Sequence, residues 1–241
     1  MCLILVAWRV HPDYPLVVAA NRDEFYARPS SPAAPWPDAP QVTGGRDLEA
    51  GGTWLGVAEH GRFAAITNVR EPGVPKGPQS RGHLPREFLL GSGSAGEFAA
   101  GIDGKLYSGF NLLLGDGEEF WYRSNRDGAA RRLNPGIYGL SNHLLDTPWP
   151  KLVSAKRRFA EALEFLPATG DFFSLLVDDE IVPDSDLPNT GVPLEWERLL
   201  SAIFVKSADY GTRASTVLTV ARDGSHQLRE RRFGPHGQPV A

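Results

Sequence analysis

The chain has 241 residues, 41% of them hydrophobic and 22% charged, enough apolar material for a substantial core in one large domain or two small ones. Its 25 Lys and Arg against 29 Asp and Glu leave a net charge of -4, which argues against the concentrated basic surface that nucleic-acid binding requires. The single cysteine permits no internal disulfide and so gives no sign of an oxidising compartment.

The apolar run at 3–8 is broken by Arg9 and has no basic lead-in, too short for a membrane span or a secretory signal. A soluble cytoplasmic protein is expected. The runs at 3–10 and 16–20 flank "HPDYP", a turn, and predict a hairpin of buried strands. "ARPSSPAAPWPDAPQ" is rich in Pro and Ala and reads as a surface loop. Three further hairpins are predicted in "TWLGVAEHGRFAAITNV", "FNLLLGDGEEFWYRS" and "STVLTVARDGSHQLRERRF", turning at His60 and Gly61, at Asp116 and Gly117, and at Asp223 and Gly224.

Helical signals are fewer. Ser94 and Glu97 form a capping-box pattern ahead of "FAAGI". "PWPKLVSAKRRFAEALEFL" opens with prolines where a helix tolerates them, and Leu152, Ala155, Phe159, Ala162 and Leu166 form an apolar stripe. Another helix is expected over 194–204. Hairpins, then helices, then a last hairpin predict an α+β fold, with one domain over 1–241.

Cys2 carries the main chemical question. Removal of Met1 would expose an α-amine of pKa about 7.7–8.0 on the residue that bears the thiol, a nucleophile with its own base. The other reading is an inert, buried cysteine. "NRDE" ends the second predicted strand, which antiparallel pairing returns beside Cys2. There Asp23 could orient an amine and Arg22 could lower a thiol pKa or bind an anion, unless the group is only a strand-end salt bridge. Asn68 and Asn142 close predicted strands, as oxyanion donors or as turn residues, and Arg213 opens the last hairpin. "TGGRDLEAGGTW" lacks phosphate-loop order and reads as a loop bordering a pocket. The six histidines show no metal-ligand spacing, and C-x-x-C-H is absent, so no metal and no cofactor are expected.

Taken together, "MCLILVAW", "NRDE", "GGTWLG", "TNVR", "SRG", "GFNLL", "GLSNHLLDTPWPK" and "RASTVL" resemble the NRDE family, also called the transport-and-Golgi-organisation type 2 family, over nearly the whole chain. That family is similar to the N-terminal-nucleophile hydrolases of the choloylglycine hydrolase and penicillin V acylase branch. The resemblance implies a four-layer αββα sandwich of two antiparallel sheets. It also implies a site in which Cys2 is the nucleophile, Arg22 and Arg213 are the two arginines, and Asn68 and Asn142 support an oxyanion. Asp23 fits less closely, because here it adjoins the arginine, so Asp23 and Glu24 compete for the amine-positioning role. Asn21, Glu24, Trp54, Arg70 and Asn111, from the same motifs, are the implied substrate-binding residues. The implied activity is an amidohydrolase or acyltransferase acting on a linear amide or thioester of an acylated, anionic small molecule. The rival expectation is a non-catalytic carrier of lipid, acyl-coenzyme A or haem, its pocket lined by Trp8, Phe25, Trp54 and Phe110.

Overall fold

The structure, a computed structural model, describes residues 2–240. The expected removal of Met1 concerns a residue outside that range. In chain order the strands are β1 (Cys2–Trp8), β2 (Leu16–Phe25), β3 (Ser30–Trp36), β4 (Ala39–Asp47), β5 (Leu55–Val57), β6 (Phe63–Asn68), β7 (Phe110–Gly115), β8 (Phe120–Ser124), β9 (Arg131–Arg132), β10 (Gly136–Leu140), β11 (Tyr210–Val220), β12 (His226–Phe233) and β13 (Pro239–Val240). The helices are α1 (His83–Leu90), α2 (Ala95–Gly101), α3 (Pro150–Leu163), α4 (Gly170–Leu176) and α5 (Leu194–Leu199). No helix among the described residues is long and apolar enough to cross a membrane.

Two antiparallel sheets result. One runs β10-β1-β2-β11-β12-β13 and the other β3-β4-β5-β6-β7-β8-β9. Period-2 alternation sends Ile4, Val6, Trp8, Leu16, Val18 and Ala20 into the core between the sheets, against Leu55, Phe63, Leu113 and Phe120. Leu3, Leu5, Ala7, Val17 and Ala19 point the other way, against Leu152, Phe159 and Phe172 of α3 and α4. Because both faces are covered, β1 reads as a continuous apolar run rather than an alternating one. Leu84 and Phe88 of α1 and Ala95 and Ala99 of α2 cover the outer face of the second sheet. The expected αββα sandwich is what forms.

Some expectations about elements fail; the smallest is Leu166, expected on the apolar stripe of α3 but placed beyond the helix end at Leu163. The Pro-rich segment is not a loop: it forms the β3–β4 hairpin. β3 lies at a sheet edge, and its register shifts between Ser31 and Ala34 and again between Pro35 and Trp36. Those are the places where a strand tolerates residues that cannot donate. The helix expected over 194–204 stops at Leu199. Lys151 Nζ donates to Leu200 O at 2.7 Å and Ala202 O at 3.4 Å, and Asn21 Nδ2 donates to Ile203 O at 2.9 Å. Side-chain donors from elsewhere thus satisfy carbonyls just beyond the helix, so the chain can leave it without burying bare acceptors.

Candidate active site

The β1–β2 hairpin pairs Cys2 directly with Arg22, which places the thiol and the guanidinium on neighbouring strands. Alternation puts Cys2, Arg22 and Glu24 on the face toward the second sheet and Asn21 and Asp23 on the face toward the helices. The β2–β11 register then slips between Thr212 and Ala214, bulging Arg213 out of the ladder.

A cleft of about 150 Å³ opens at this end of the sandwich. Cys2, Arg22, Asp23, Glu24, Trp54, Asn68 and Arg81 line it. The main chain of Cys2 is held on both sides: its N–H donates to Asn142 Oδ1 at 3.3 Å, and its carbonyl accepts from Ser141 Oγ at 3.2 Å. Asn142 is fully buried and stands behind the cleft. Its Nδ2 donates to Asn68 O at 3.0 Å and Asn68 Oδ1 at 2.9 Å. Both oxygens of Asn68 are therefore engaged, and what that residue has to offer the cleft is its side-chain N–H.

Burial pushes the Cys2 thiol above its ordinary pKa, against the pull of the Asp23 main-chain N–H on the sulfur and of the nearby Arg22 charge. Such a thiol rests protonated, and attack requires a base to take its proton. Asp23 is buried and its carboxyl is raised, again by burial, with Lys151 and Arg22 opposing. Its Oδ1 accepts from Thr212 Oγ1 at 2.7 Å, and that hydroxyl itself accepts the Val205 N–H at 2.9 Å, which fixes the carboxyl orientation. Glu24 lies at the cleft edge with Oε1 on its neighbour's N–H, Phe25 N, at 2.8 Å.

Arg22 is 6% exposed and its Cζ lies 4.2 Å from the Trp54 ring centroid. Its Nη1 is buried and has no hydrogen-bond partner among the described residues. Trp54 can adopt this position because residue 45 is glycine; a Cβ there would lie 2.1 Å from the indole. Gly52 likewise lets its loop cross Gly82 in backbone contact, where a Cβ would come within 2.4 Å. The glycine cluster borders the cleft as expected, though Thr43 to Asp47 belong to β4 rather than to a loop, and Ser80, Arg81 and Gly82 form part of the wall.

Several implied site residues are placed elsewhere. Asn21 faces the helices, donating to Leu176 O and Ile203 O and accepting from Ser215 Oγ. Asn111 is buried among Thr67, His143 and Tyr122. Arg70 forms a buried pair with Glu197 at 2.7 Å, and its main-chain N–H tethers Asn142 O at 2.8 Å. Arg213 donates to Phe25 O and Arg28 O and lines a second, neighbouring cleft. Of the aromatic lining expected for a carrier, only Trp54 reaches the Cys2 cleft. Trp8 stacks on Phe120 in the inter-sheet core, Phe110 is buried under the helices of the other sheet, and Phe25 is half exposed.

Arg81 and Lys151 were not singled out from the residues, though both fall within quoted motifs. Arg81 donates to Gly109 O at 2.9 Å, and burial holds its pKa below the usual arginine value. Lys151 is buried, and desolvation lowers it from 10.5 to about 8 despite the attraction of Asp23. A lysine depressed in the folded state makes the unfolded chain bind more protons between pH 8 and 10.5, so stability rises with pH across that window. Its slope is at most about 1.4 kcal/mol per pH unit. Lys151→Met should flatten this rise, which urea titrations at pH 8, 9 and 10 would reveal; an unchanged slope would contradict the assignment.

The architecture matches a Caenorhabditis elegans N-acylethanolamine-hydrolyzing acid amidase ortholog with a TM-score of 0.52, covering 90% of this chain and 92% of that one at 14% identity. At that identity the likeness shows a shared fold. Relatives in sequence are the Transport and Golgi organization protein 2 homologs of Bos taurus, 37% identical over 257 residues, and Homo sapiens, 36% identical over 255. Each alignment covers 96% of this chain and 92% of the relative. The family model "Transport and Golgi organisation 2" matches residues 1–235, and the chain belongs to that family.

Proposed function

We propose that the chain is an N-terminal-cysteine hydrolase that cleaves a linear amide or thioester of an acylated, anionic small molecule. One observation carries the reading: the Cys2 main-chain nitrogen and sulfur, the Asn142–Asn68 carboxamide pair and Arg22 gather at one cleft. The proposal requires a chain that begins at Cys2. The α-amine, held by Asn142 Oδ1, then takes the thiol proton as sulfur bonds to the carbonyl carbon. The carbonyl π pair moves to oxygen, where the Asn68 amide donates to it. Collapse breaks the bond to the leaving amine or thiolate, which receives the proton, and water releases the acyl group from sulfur. Arg22 attracts the anionic part of the substrate. Asp23, fixed by Thr212, is the better candidate than Glu24 for orienting the amine, because its carboxyl is buried and held in place while that of Glu24 caps its own neighbour's N–H at the cleft edge.

A carrier for haem or an intact acyl chain has weaker support. The cleft is about 150 Å³, below the roughly 300 Å³ at which small-molecule pockets commonly begin, and polar and charged groups make up most of its lining. The test combines intact-mass measurement with a thioester or activated-amide acyl donor. The expected result is a chain starting at Cys2 that gains one acyl group there, with no gain in Cys2→Ala. Stoichiometric ligand binding that survives Cys2→Ala, with no acylation of the parent, would overturn the hydrolase reading in favour of a carrier.

A further inference from the structure

The Arg22–Trp54 stack has a second side. Beyond it lies a separate cleft of about 160 Å³, lined by Arg22, Tyr26, Ser30, Ser31, Arg213 and Arg232 among others. Three guanidinium groups meet there. Arg213 is depressed by burial and further by the positive charges of Arg22 and Arg232. Such mutual repulsion is costly unless an anion relieves it.

Glu230 offsets part of that repulsion, since Arg232 and Arg22 both pull its pKa down, and Glu24 opposes the depression of Arg213, but neither carboxylate is hydrogen-bonded to Arg22 or Arg213. Glu230 is engaged on both oxygens, accepting the Ala33 N–H at 2.9 Å and Thr216 Oγ1 at 3.5 Å, and burial raises its carboxyl pKa. Neither Arg22 nor Arg213 forms an ion pair with a carboxylate of the described residues. Arg22 is more than nine-tenths buried, and its Nη1 lacks a partner among the described residues. The buried Tyr26 hydroxyl has no acceptor among them either. Unsatisfied donors in such places are rare because each forfeits its hydration with nothing in exchange, the more so when charged. An oxyanion with several lone pairs is the ligand that would satisfy them.

We propose that this second cleft is an oxyanion subsite that takes the carboxylate or phosphate end of the acyl compound attacked by Cys2. The identity of that compound rests on the hydrolase reading; the anion site itself does not. The bulge at Arg213 serves the subsite, since it turns the guanidinium out of the ladder and toward this cleft.

Calorimetric titration of the full chain with inorganic phosphate and with acetate, at matched chloride concentration, tests the proposal. Saturable binding of at least one anion is expected. It should weaken roughly tenfold or more in Arg213→Gln, because a charge-assisted hydrogen bond is lost, and a few-fold in Tyr26→Phe. Cys2→Ala and Arg81→Gln should bind as the parent does. Absence of saturable binding by the parent, or affinities unmoved in both Arg213→Gln and Tyr26→Phe, overturns the subsite. Loss confined to Arg81→Gln moves the anion to the Cys2 cleft and overturns it as well. Should Arg213→Gln fail to fold, Tyr26→Phe decides. A chain that binds phosphate or acetate but is never acylated refutes the hydrolase reading alone; one that is acylated but binds neither anion refutes the subsite alone. Preference between the two anions identifies which end the substrate carries.

Discussion

An Asn142→Ala variant is expected to acylate at Cys2 roughly 10²–10³ times more slowly than the parent, the range seen when a single oxyanion donor is removed. The effect comes through two contacts at once. Asn142 Oδ1 holds the Cys2 nitrogen, and Asn142 Nδ2 engages both oxygens of Asn68. Without the first contact the amine that accepts the thiol proton is loose. Without the second, the Asn68 amide can rotate and present an oxygen to the developing oxyanion instead of an N–H. Asn142→Asp separates the contributions, since it keeps an oxygen for the amine but loses the donors to Asn68. Its rate should fall between those of the parent and Asn142→Ala. Single-turnover acylation monitored by mass, with circular dichroism as a check on folding, provides the measurement. A folded Asn142→Ala that acylates at the parental rate would remove Asn142 from the mechanism.

This division of labour could not be read from the residues. Asn68 and Asn142 look alike in sequence, each closing a strand, and both were expected to donate to an oxyanion. Their ranking depends on a contact across 74 residues that engages Asn142 and leaves Asn68 facing the cleft. The hairpins, by contrast, were legible because local rules fix them. Positive-φ residues such as His60, Gly61, Gly117 and Gly224 sit at the predicted turns, and β1 and β2 bury both faces. The α3 stripe was legible for the same reason, with Leu152, Ala155, Phe159 and Ala162 all buried. Local composition misled at β3, where prolines normally signal a loop but here occupy a sheet edge. It was silent about Arg213, whose destination depends on a one-residue slip against β2. It was equally silent about Lys151, an ordinary helix lysine until the turn after α5 folds over its amine. Motif order pointed to the neighbourhood of the candidate site; long-range pairing sets where each residue lies within it.

A buried ion pair adjoins that pairing through the Arg70 main chain, and breaking it should produce the largest loss of stability. Glu197→Ala is expected to cost roughly 3–5 kcal/mol, the range for removing one partner of a buried pair. Arg70 and Glu197 side chains are each 5% exposed and 2.7 Å apart. Glu197 Oε1 also accepts from Thr190 N at 2.7 Å and Thr190 Oγ1 at 2.6 Å, so the substitution strands two further donors. Desolvation already holds the Arg70 pKa below its ordinary value, with Glu197 the strongest group opposing it. Deleting that carboxylate removes the strongest of the groups that oppose the desolvation of Arg70. The damage should reach the cleft, because the Arg70 main chain holds Asn142 and its guanidinium packs 4.9 Å from the Trp149 ring centroid. A double variant, Arg70→Met with Glu197→Leu, removes both charges and should recover much of the loss, since apolar replacement of a buried pair is often close to neutral. Urea denaturation of parent, single and double variants measures both quantities. A single-variant cost below about 1 kcal/mol, or a double variant no more stable than Glu197→Ala, would mean that Arg70 finds its charge balance elsewhere, and the pair would lose its place as the anchor of Asn142.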